Sequence, residues 1–413
     1  MVRITRVLVQ NWQQMRSIDI ACHERLTILT GANGSGKSTI LRFVGRHLNW
    51  NYQSLAVPDK KRKGGWTAMN LWEDNVTGLT QAGTYSAGQL EYSNGKVADI
   101  RIPINLGQAQ YQPQLSGQQP IMGVYLPADR PEFAYSQVQQ IPVRPRQSSE
   151  AFSLVENDLR QVALSQGGQH STVQHMKEVL VGLAVFGYGN PVVDPDSSAR
   201  RLFEGFQDTL RKILPRQIGF SRLAVRNSEV VLETESGAFL LDAVSGGVGA
   251  LLTLGWLIYM YAAFKEDEFT VVLDEPENHL HPGMQREVLP SLLNAFPKAT
   301  FLVATHSPLV VSSVPEAQAY ALMFSEDRKV VSEKLDLAQT SGSASEVLQK
   351  ALDVPSTYPI WVEKKFDELV AKYMREGASP SSITELKADL DRANLGDLLP
   401  VALLRQKRGG KDR

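Results

Sequence analysis

Four short stretches of this chain carry residue types whose spacing could do chemistry on a phosphate. The first runs Gly31-Ala-Asn-Gly-Ser-Gly36-Lys37-Ser38, a glycine, four residues, then Gly-Lys-Ser. Glycines let consecutive backbone N–H groups point inward at phosphate oxygens, and a helix N-terminus adds its positive end. Lys37 can then reach the β- and γ-phosphates, and the Ser38 hydroxyl can ligand Mg²⁺. The spacing implies a nucleoside triphosphate site. The second stretch is Asp274-Glu275, placed where an apolar run from Phe269 to Leu273 stops. Buried acids are expensive unless they are ligated. Beside a phosphate loop, Asp274 has a role in orienting Mg²⁺, and Glu275 in polarising the attacking water. The third is Thr305-His306, again at the end of an apolar run, Phe301 to Ala304. The fourth is Ser245-Gly246-Gly247, which opens a long apolar stretch. Ser245 reads either as a helix N-cap or as part of a second phosphate cradle. One protomer holds only one γ-phosphate at this site, so two cradles imply that each serves a different subunit's nucleotide.

The elements that must position these groups are legible in outline. Leu26 to Leu29 is a β-branched run entering the glycine turn, and Ser38 to Val44 leaves it with helical spacing of apolar residues. Strands are expected over residues 2 to 9, 16 to 29 and 122 to 126, with hairpins turning at Asn94-Gly95 and Ser236-Gly237. Ligands of parallel α/β sheets sit at the C-terminal strand edge, so a histidine at 306 is placed to meet a γ-phosphate. Helices are expected over 150 to 165, 173 to 185 and 197 to 214, without sustained heptads. Ala250 to Phe264 is too short to span a bilayer and reads as a buried core helix.

Composition sets the bounds. The chain has 413 residues and a formal net charge of −1, so nothing global draws it to nucleic acid or an anionic membrane. Its one cysteine, Cys22, excludes an internal disulfide framework and a cysteine zinc cluster. Together with the absence of an apolar signal region at the start, this leads to the expectation of a cytoplasmic protein with no membrane association. Local basic clusters stand at Lys60 to Lys63 and Arg405 to Arg413, so nucleic acid stays open as a partner. His279 and His281, two residues apart, read as structural or dimer-contacting rather than as metal ligands.

Taken together, these stretches resemble the ATP-binding-cassette superfamily in its soluble SMC/RecF-like branch. The resemblance covers a Walker A loop (Gly31 to Ser38), a signature turn (Ser245 to Gly249), a Walker B strand with its glutamate (Val271 to Glu275), a D-loop-like stretch (Glu277 to His281) and a switch histidine, His306. The wording Asp-Glu-Pro-Glu-Asn-His-Leu-His-Pro followed by Ala-Thr-His-Ser-Pro is most similar to the ATPase module of OLD-family nucleases and to standalone PtuA-type bacterial defence ATPases. The resemblance implies ATP and Mg²⁺ as cofactors. Asn33, Gly34, Ser35, Gly36, Lys37, Ser38 and Thr39 would hold the nucleotide, and Ser38 and Asp274 the metal. Lys37, Glu275 and His306 would be catalytic, with Ser245, Gly246 and Gly247 of one subunit facing the γ-phosphate of the other in an ATP-sandwich homodimer or higher homo-oligomer.

The sequence departs from the wider family at three points. The signature reads Val-Ser-Gly-Gly-Val-Gly, without a glutamine at its fifth position. The Q-loop has three candidates, Gln81, Gln89 and Gln108, with none preferred. OLD nucleases carry a nuclease domain after the switch histidine, whereas the tail here reads as Lys-rich helix with Glu346, Glu363, Glu368 and Asp389 to Asp391. Pro127-Ala-Asp-Arg130 resembles a recurrent Pro-x-x-Arg element, in which Arg130 either touches nucleotide or the neighbouring lobe, or lies on the surface.

The expected fold class is α/β, an ABC-type P-loop ATPase head with an N-terminal mixed β subdomain, a helical insertion and a helical C-terminal tail. The expected boundaries are a head over 1–335, divided at 1–135, 136–225 and 226–335, and an extension over 336–413 with a basic end. The expected function is Mg²⁺-dependent ATP hydrolysis by a dimer that regulates a separately encoded effector, a nuclease or toxin, in bacterial anti-phage defence. The alternative is a RecF-like DNA-binding ATPase in repair.

Overall fold

The computed structural model describes residues 2–58, 65–68, 83–103, 106–164, 172–265, 267–337, 360–375, 380–393, 395–396 and 399. Lys60 to Lys63, Gln81, Glu346 and the basic tail from Arg405 lie outside the described residues. The chain divides into two units, Met1–Asp353 and Val354–Arg413.

The first unit begins with strands β1 (Ile4–Trp12), β2 (Met15–Ala21) and β3 (Leu26–Gly31), then helix α1 (Lys37–Gly45). Short strands β4 (Ser54–Leu55), β5 (Val57–Pro58) and β6 (Trp66–Thr67) precede a hairpin of β7 (Thr84–Tyr92) and β8 (Val97–Pro103). After β9 (Gln110–Tyr111), β10 (Gln114–Ser116) and β11 (Gly123–Leu126) come helices α2 (Ser148–Ala163), α3 (Thr172–Tyr188) and α4 (Ser197–Ile213). Strands β12 (Phe220–Arg226), β13 (Glu229–Thr234) and β14 (Gly237–Leu240) form a separate sheet and lead to helix α5 (Gly246–Phe264). The unit continues with β15 (Phe269–Asp274), α6 (Pro282–Ala295), β16 (Ala299–Ala304), α7 (Pro308–Val311), β17 (Gln318–Phe324) and β18 (Val330–Leu335).

One sheet of eleven described strands organises this unit, in the order β10-β8-β7-β1-β2-β18-β17-β3-β16-β15-β11. Its two halves follow different rules. From β17 to β11 every pairing is parallel. Strands covered on both faces are expected to be apolar throughout. Accordingly, all six residues of β3 and all six of β15 are buried. From β10 to β2 the pairings are antiparallel, and β2 mixes buried Met15, Ile18 and Ile20 with exposed positions between them. The mixed α/β class expected from the sequence is the one observed, with the β subdomain continuous with the core sheet.

The region expected as one strand over 16 to 29 is two, because the chain turns after Ala21, where the His23 amide donates to Thr27 Oγ1 of β3 at 2.8 Å. The Asn94-Gly95 hairpin is present, with Gly95 at φ 77°. β9, β10 and β12 arise where the sequence shows no strand signal, since edge pairing rather than apolar periodicity holds them.

Helix α5 is the one described helix with the length and composition to cross a bilayer, and most of it is buried inside the chain. Its Trp256 packs edge-on against Phe206 of α4, ring centroids 5.1 Å apart, and donates its indole N–H to Ala151 O at 3.2 Å. α5 therefore carries no polar face; it is the axle of the helical lobe. The second unit holds helices α8 (Ile360–Arg375) and α9 (Pro380–Arg392), packed around Val362, Phe366, Val370, Tyr373, Leu386 and Leu390.

Candidate functional site

Parallel pairing brings three loops to one edge. Leu29 of β3 and Asp274 of β15 both lie opposite Ala304 of β16. The loops after Gly31, Asp274 and Ala304 therefore emerge side by side, and β11, which ends opposite Leu273, adds the turn Pro127 to Arg130. The glycine loop lies more than two hundred residues from the other two in sequence; the sheet removes that separation.

The glycine loop needs its glycines. Gly31, Gly34 and Gly36 have φ of 141°, 77° and 95°. At Gly31 an added Cβ would fall 2.3 Å from the carbonyl oxygen of Leu322 on β17, so no side chain fits. Asn33 and Gly34 are exposed on the loop, Ser35 is buried beneath it, and Thr39 lies in the first turn of α1. Lys37 is 4 % exposed, and its ammonium donates to Gly31 O at 2.9 Å and Ala32 O at 3.0 Å. Burial pulls its pKa down to about 8, against the nearby charges of Glu275, Asp274 and Glu277.

Ser38 Oγ donates to Asp274 Oδ1 at 3.2 Å. Asp274 is 4 % exposed, and burial pushes its carboxyl up to about 6, with Glu275 adding to the rise. A half-buried hydroxyl and a buried carboxylate side by side form a hard oxygen donor set, the kind that fits Mg²⁺. A cation there would relieve the cost of burying Asp274.

Glu275 sits at φ 47°, a left-handed backbone that a non-glycine residue holds only when its surroundings impose it. Arg130 supplies much of that constraint. Its guanidinium donates to Pro127 O at 2.6 Å, Asp274 O at 3.0 Å and Glu275 O at 2.7 Å. It is 6 % exposed, so of the alternatives open for this residue the structure selects a buried clamp on the Walker B backbone. Burial pulls its pKa down to about 10, opposed by Glu277, Asp274 and Glu275.

The Glu275 side chain is gripped separately. His306 Nε2 lies 3.3 Å from Oε1, and Asn278 Nδ2 donates to Oε2 at 3.0 Å. The bond from His306, more than that from Asn278, holds the carboxyl below its usual range against the opposing effect of burial.

Glu277 has a role that no motif spacing reveals. Its Oε1 accepts from Thr305 Oγ1 at 2.7 Å, His306 N at 2.6 Å and Ser307 N at 3.2 Å. Ser307 Oγ also donates to Gln285 of α6 at 2.7 Å. The carboxylate ties the stretch after Glu275 to the backbone of the switch histidine. The only sequence signal for it was the unusual third acid in Asp-Glu-Pro-Glu.

The signature turn lies on the helical lobe. Ser245 precedes α5 but its side chain makes no capping bond, and both Ser245 and Gly246 are exposed. Ser245 thus occupies the N-cap position without the side-chain bond of a cap, and its exposed hydroxyl leaves the phosphate-cradle reading open. Gly247 is buried, and a Cβ there would stand 2.9 Å from His279 O, so the missing side chain lets residues 277–281 close on the helix. Val248, in the place of the family's glutamine, is 8 % exposed and faces the core. His279 Nδ1 lies 3.1 Å from Glu132 Oε1, while His281 is the N-cap of α6, accepting from Gly283 N at 3.2 Å. Among the described residues no cluster of three or more His, Cys, Asp or Glu is arranged to hold a metal. Gln89 and Gln108 are exposed, on β7 and ahead of β9.

A buried lysine supports the turn from behind. Lys177 of α3 is fully buried and bonds Asp242 Oδ2 at 2.8 Å, Ser136 O at 2.7 Å and Glu229. Asp242 stands three residues before Ser245, so the approach to the turn is fastened to the insertion helices. No motif flagged this triad.

Two family profiles match parts of the chain. "P-loop containing region of AAA domain" matches residues 4–44. "AAA domain, putative AbiEii toxin, Type IV TA system" matches residues 190–312. Together they contain the glycine loop, the signature turn, Asp274, Glu275 and His306. The chain is similar to the Septu protein PtuA of Bacillus thuringiensis, 24% identical over 196 residues, covering 44% of this chain and 45% of that protein. It is also similar to the Retron Vc95 probable ATPase of Vibrio cholerae, 44% identical over 48 residues, covering 12% of this chain and 9% of that protein. These matched stretches span less than half of either relative's length. Among solved structures, the Smc head domain of Pyrococcus furiosus bound to the C-terminal domain of ScpA aligns at TM-score 0.43 and 15% identity, covering 85% of this chain and 99% of that one. The resemblance to PtuA-type ATPases, first drawn from the motifs, recurs among these relatives.

Proposed function

We propose that this chain is a Mg²⁺-dependent ATPase whose ATP-bound dimer regulates a separately encoded effector, a nuclease or toxin, in bacterial defence against phage. The observation that carries the reading is a division of labour in the site. Lys37, Ser38–Asp274 and Glu275–His306 converge at one sheet edge. Ser245, with a side chain that caps nothing, stands exposed on the helical lobe. A nucleotide held by the first set needs a second protomer to meet the second. The names of the relatives, a Septu protein and a retron ATPase, support the defence setting.

In this reading Lys37 and the glycine-loop amides bind the β- and γ-phosphates, with Asn33 to Thr39 along the nucleotide. Ser38 and Asp274 would hold Mg²⁺, which when bound draws charge from the phosphate oxygens. Glu275 accepts the proton of the attacking water, and His306 orients that carboxylate and the phosphate side of the site. Ser245, Gly246 and Gly247 close the site from the partner subunit, their amides facing the γ-phosphate.

The decisive variant is Glu275→Gln. It is expected to bind ATP, to lose turnover by about 10³-fold as a missing general base does, and to accumulate as a dimer in size-exclusion chromatography with Mg²⁺ and ATP. A variant that stays monomeric under those conditions and turns ATP over at the wild-type rate would overturn the assignment. For the effector, the tagged chain is recovered from its native host and treated with nuclease. A stoichiometric protein carrying a nuclease or toxin fold supports the proposal; DNA alone, lost on treatment, moves the reading to a repair ATPase.

A further inference from the structure

The end of α5 away from the signature turn opens onto a cleft of about 840 Å³, lined by residues 144–149 leading into α2, by Asp196 and the first turns of α4, and by the last turns of α5. Three arginines reach it, Arg144, Arg146 and Arg201, together with the hydroxyls of Ser148, Ser149 and Ser198. Their charges are not equally spent. Arg144 makes a two-pronged pair with Glu150, at 2.7 and 2.9 Å. Arg201 donates only to Ser198 Oγ, at 3.0 Å, and no carboxylate pairs with it among the described residues. Arg146 is half-buried, its Nε is buried with no hydrogen-bond partner, and its guanidinium pairs with no carboxylate among the described residues. Leaving a partly buried cation unpaired is costly. In a chain of net charge −1 with abundant acids, the half-buried Arg146, beside an exposed Arg201 that no carboxylate pairs with among the described residues, marks a place kept for an anion.

We infer that this cleft is a second, non-catalytic site that binds a phosphate-bearing ligand, either a nucleic-acid strand or a free nucleotide. Several features favour phosphate over a protein carboxylate. Guanidinium forks and serine hydroxyls spread over this volume exceed what one carboxylate can accept, whereas phosphodiesters present an acceptor at every step. The wall is apolar on its other side, from Leu202, Tyr259 and Phe264, a surface on which a base can lie. The bordering helix N-termini add little, since Glu150 and Asp196 already cap α2 and α4. The cleft is separate from the glycine loop. It lies at the far end of a 19-residue helix, about 28 Å from Ser245 at 1.5 Å per residue. A ligand there touches the same rigid rod that presents the signature turn.

The test uses the full chain and fluorescein-labelled dT12 and U12 in anisotropy titrations over a range of salt. The double variant Arg146→Ala/Arg201→Ala is expected to bind at least tenfold more weakly, with a log–log salt slope shallower by about 1.4, two single-strand phosphate contacts. Lys37→Ala is expected to bind the oligonucleotides as wild type does, and the double variant to keep its affinity for ATP at the glycine loop. Arg201 is exposed, so Arg201→Glu gives the same direction if the double variant is unstable. Competition by AMP at equal phosphate concentration identifies a free nucleotide as the ligand; resistance to AMP identifies a strand. Affinity unchanged in both variants, no binding by wild type, or displacement by polyglutamate as readily as by oligonucleotide would overturn the inference. ATP turnover in the same preparations reports separately on the catalytic reading.

Discussion

The sheet edge and the signature turn are two halves of one proposed site, and they are built differently. At the sheet edge almost every functional atom is already held: Lys37 by loop carbonyls, Ser38 by Asp274, Glu275 by His306 and Asn278, and the Glu275 backbone by Arg130. At the signature turn, support comes only from behind, through Gly247 against His279 and the Lys177–Asp242 pair, while Ser245 faces solvent. Preorganisation costs nothing at the moment of reaction, so it belongs where bonds change. An exposed, uncapped helix start belongs where a partner must arrive. The contrast teaches that one half can be disabled without touching the other.

The largest expected effect uses that independence. Removing the buried ammonium in Lys37→Ala should weaken ATP binding by about 10³-fold, the scale of losing one partner of a buried charge pair, measured by calorimetry on the monomer. Ser245→Arg should leave that affinity unchanged and abolish the ATP-dependent dimer in light scattering. Equal loss of ATP affinity in both variants would break the comparison.

Next comes a pH effect confined to the sheet-edge half. His47, at the end of α1, bonds Tyr92 Oη at 2.7 Å, and burial lowers its pKa to about 4. The folded protein keeps it neutral while the unfolded chain protonates near pH 6.5. Its stabilising contribution is therefore full above about pH 6.5 and is lost as pH falls through about 4. The difference is up to about 3 kcal/mol at 1.36 kcal/mol per pH unit. His47→Gln should flatten the acid limb of thermal stability between those values, and an unchanged limb would remove His47 from the account.

The smallest effect sharpens the role of the clamp. Arg130→Ala should lower kcat about tenfold, the scale of a charge-assisted hydrogen bond, and leave KM for ATP nearly unchanged. Arg130→Lys should recover part of the loss. A parallel rise in KM would mean that Arg130 serves binding rather than the orientation of Glu275.

Much of the parallel half was readable because apolar runs that stop at charged residues have few explanations. Leu26 to Leu29, Phe269 to Leu273 and Phe301 to Ala304 each point at a chemical group, and the observed strands end within a residue or two of those groups. The antiparallel half was harder to read. β9, β10 and β12 are set by edge pairing, which leaves little mark on composition. Helix α5 was legible as buried but not as the rod linking the signature turn to a basic cleft.

The sequence by itself singled out the candidate groups for chemistry, Lys37, Ser38, Asp274, Glu275, His306 and the Ser-Gly-Gly turn, because phosphate chemistry restricts residue type and local spacing. Only the tertiary structure decided what holds them. Arg130 reaches Glu275 across 145 positions of chain. Glu277 fastens the switch histidine, and Lys177 anchors the approach to the signature turn. These bonds depend on which strands and helices are neighbours. Adjacency is settled by burying the whole apolar surface at once, and no local spacing records it.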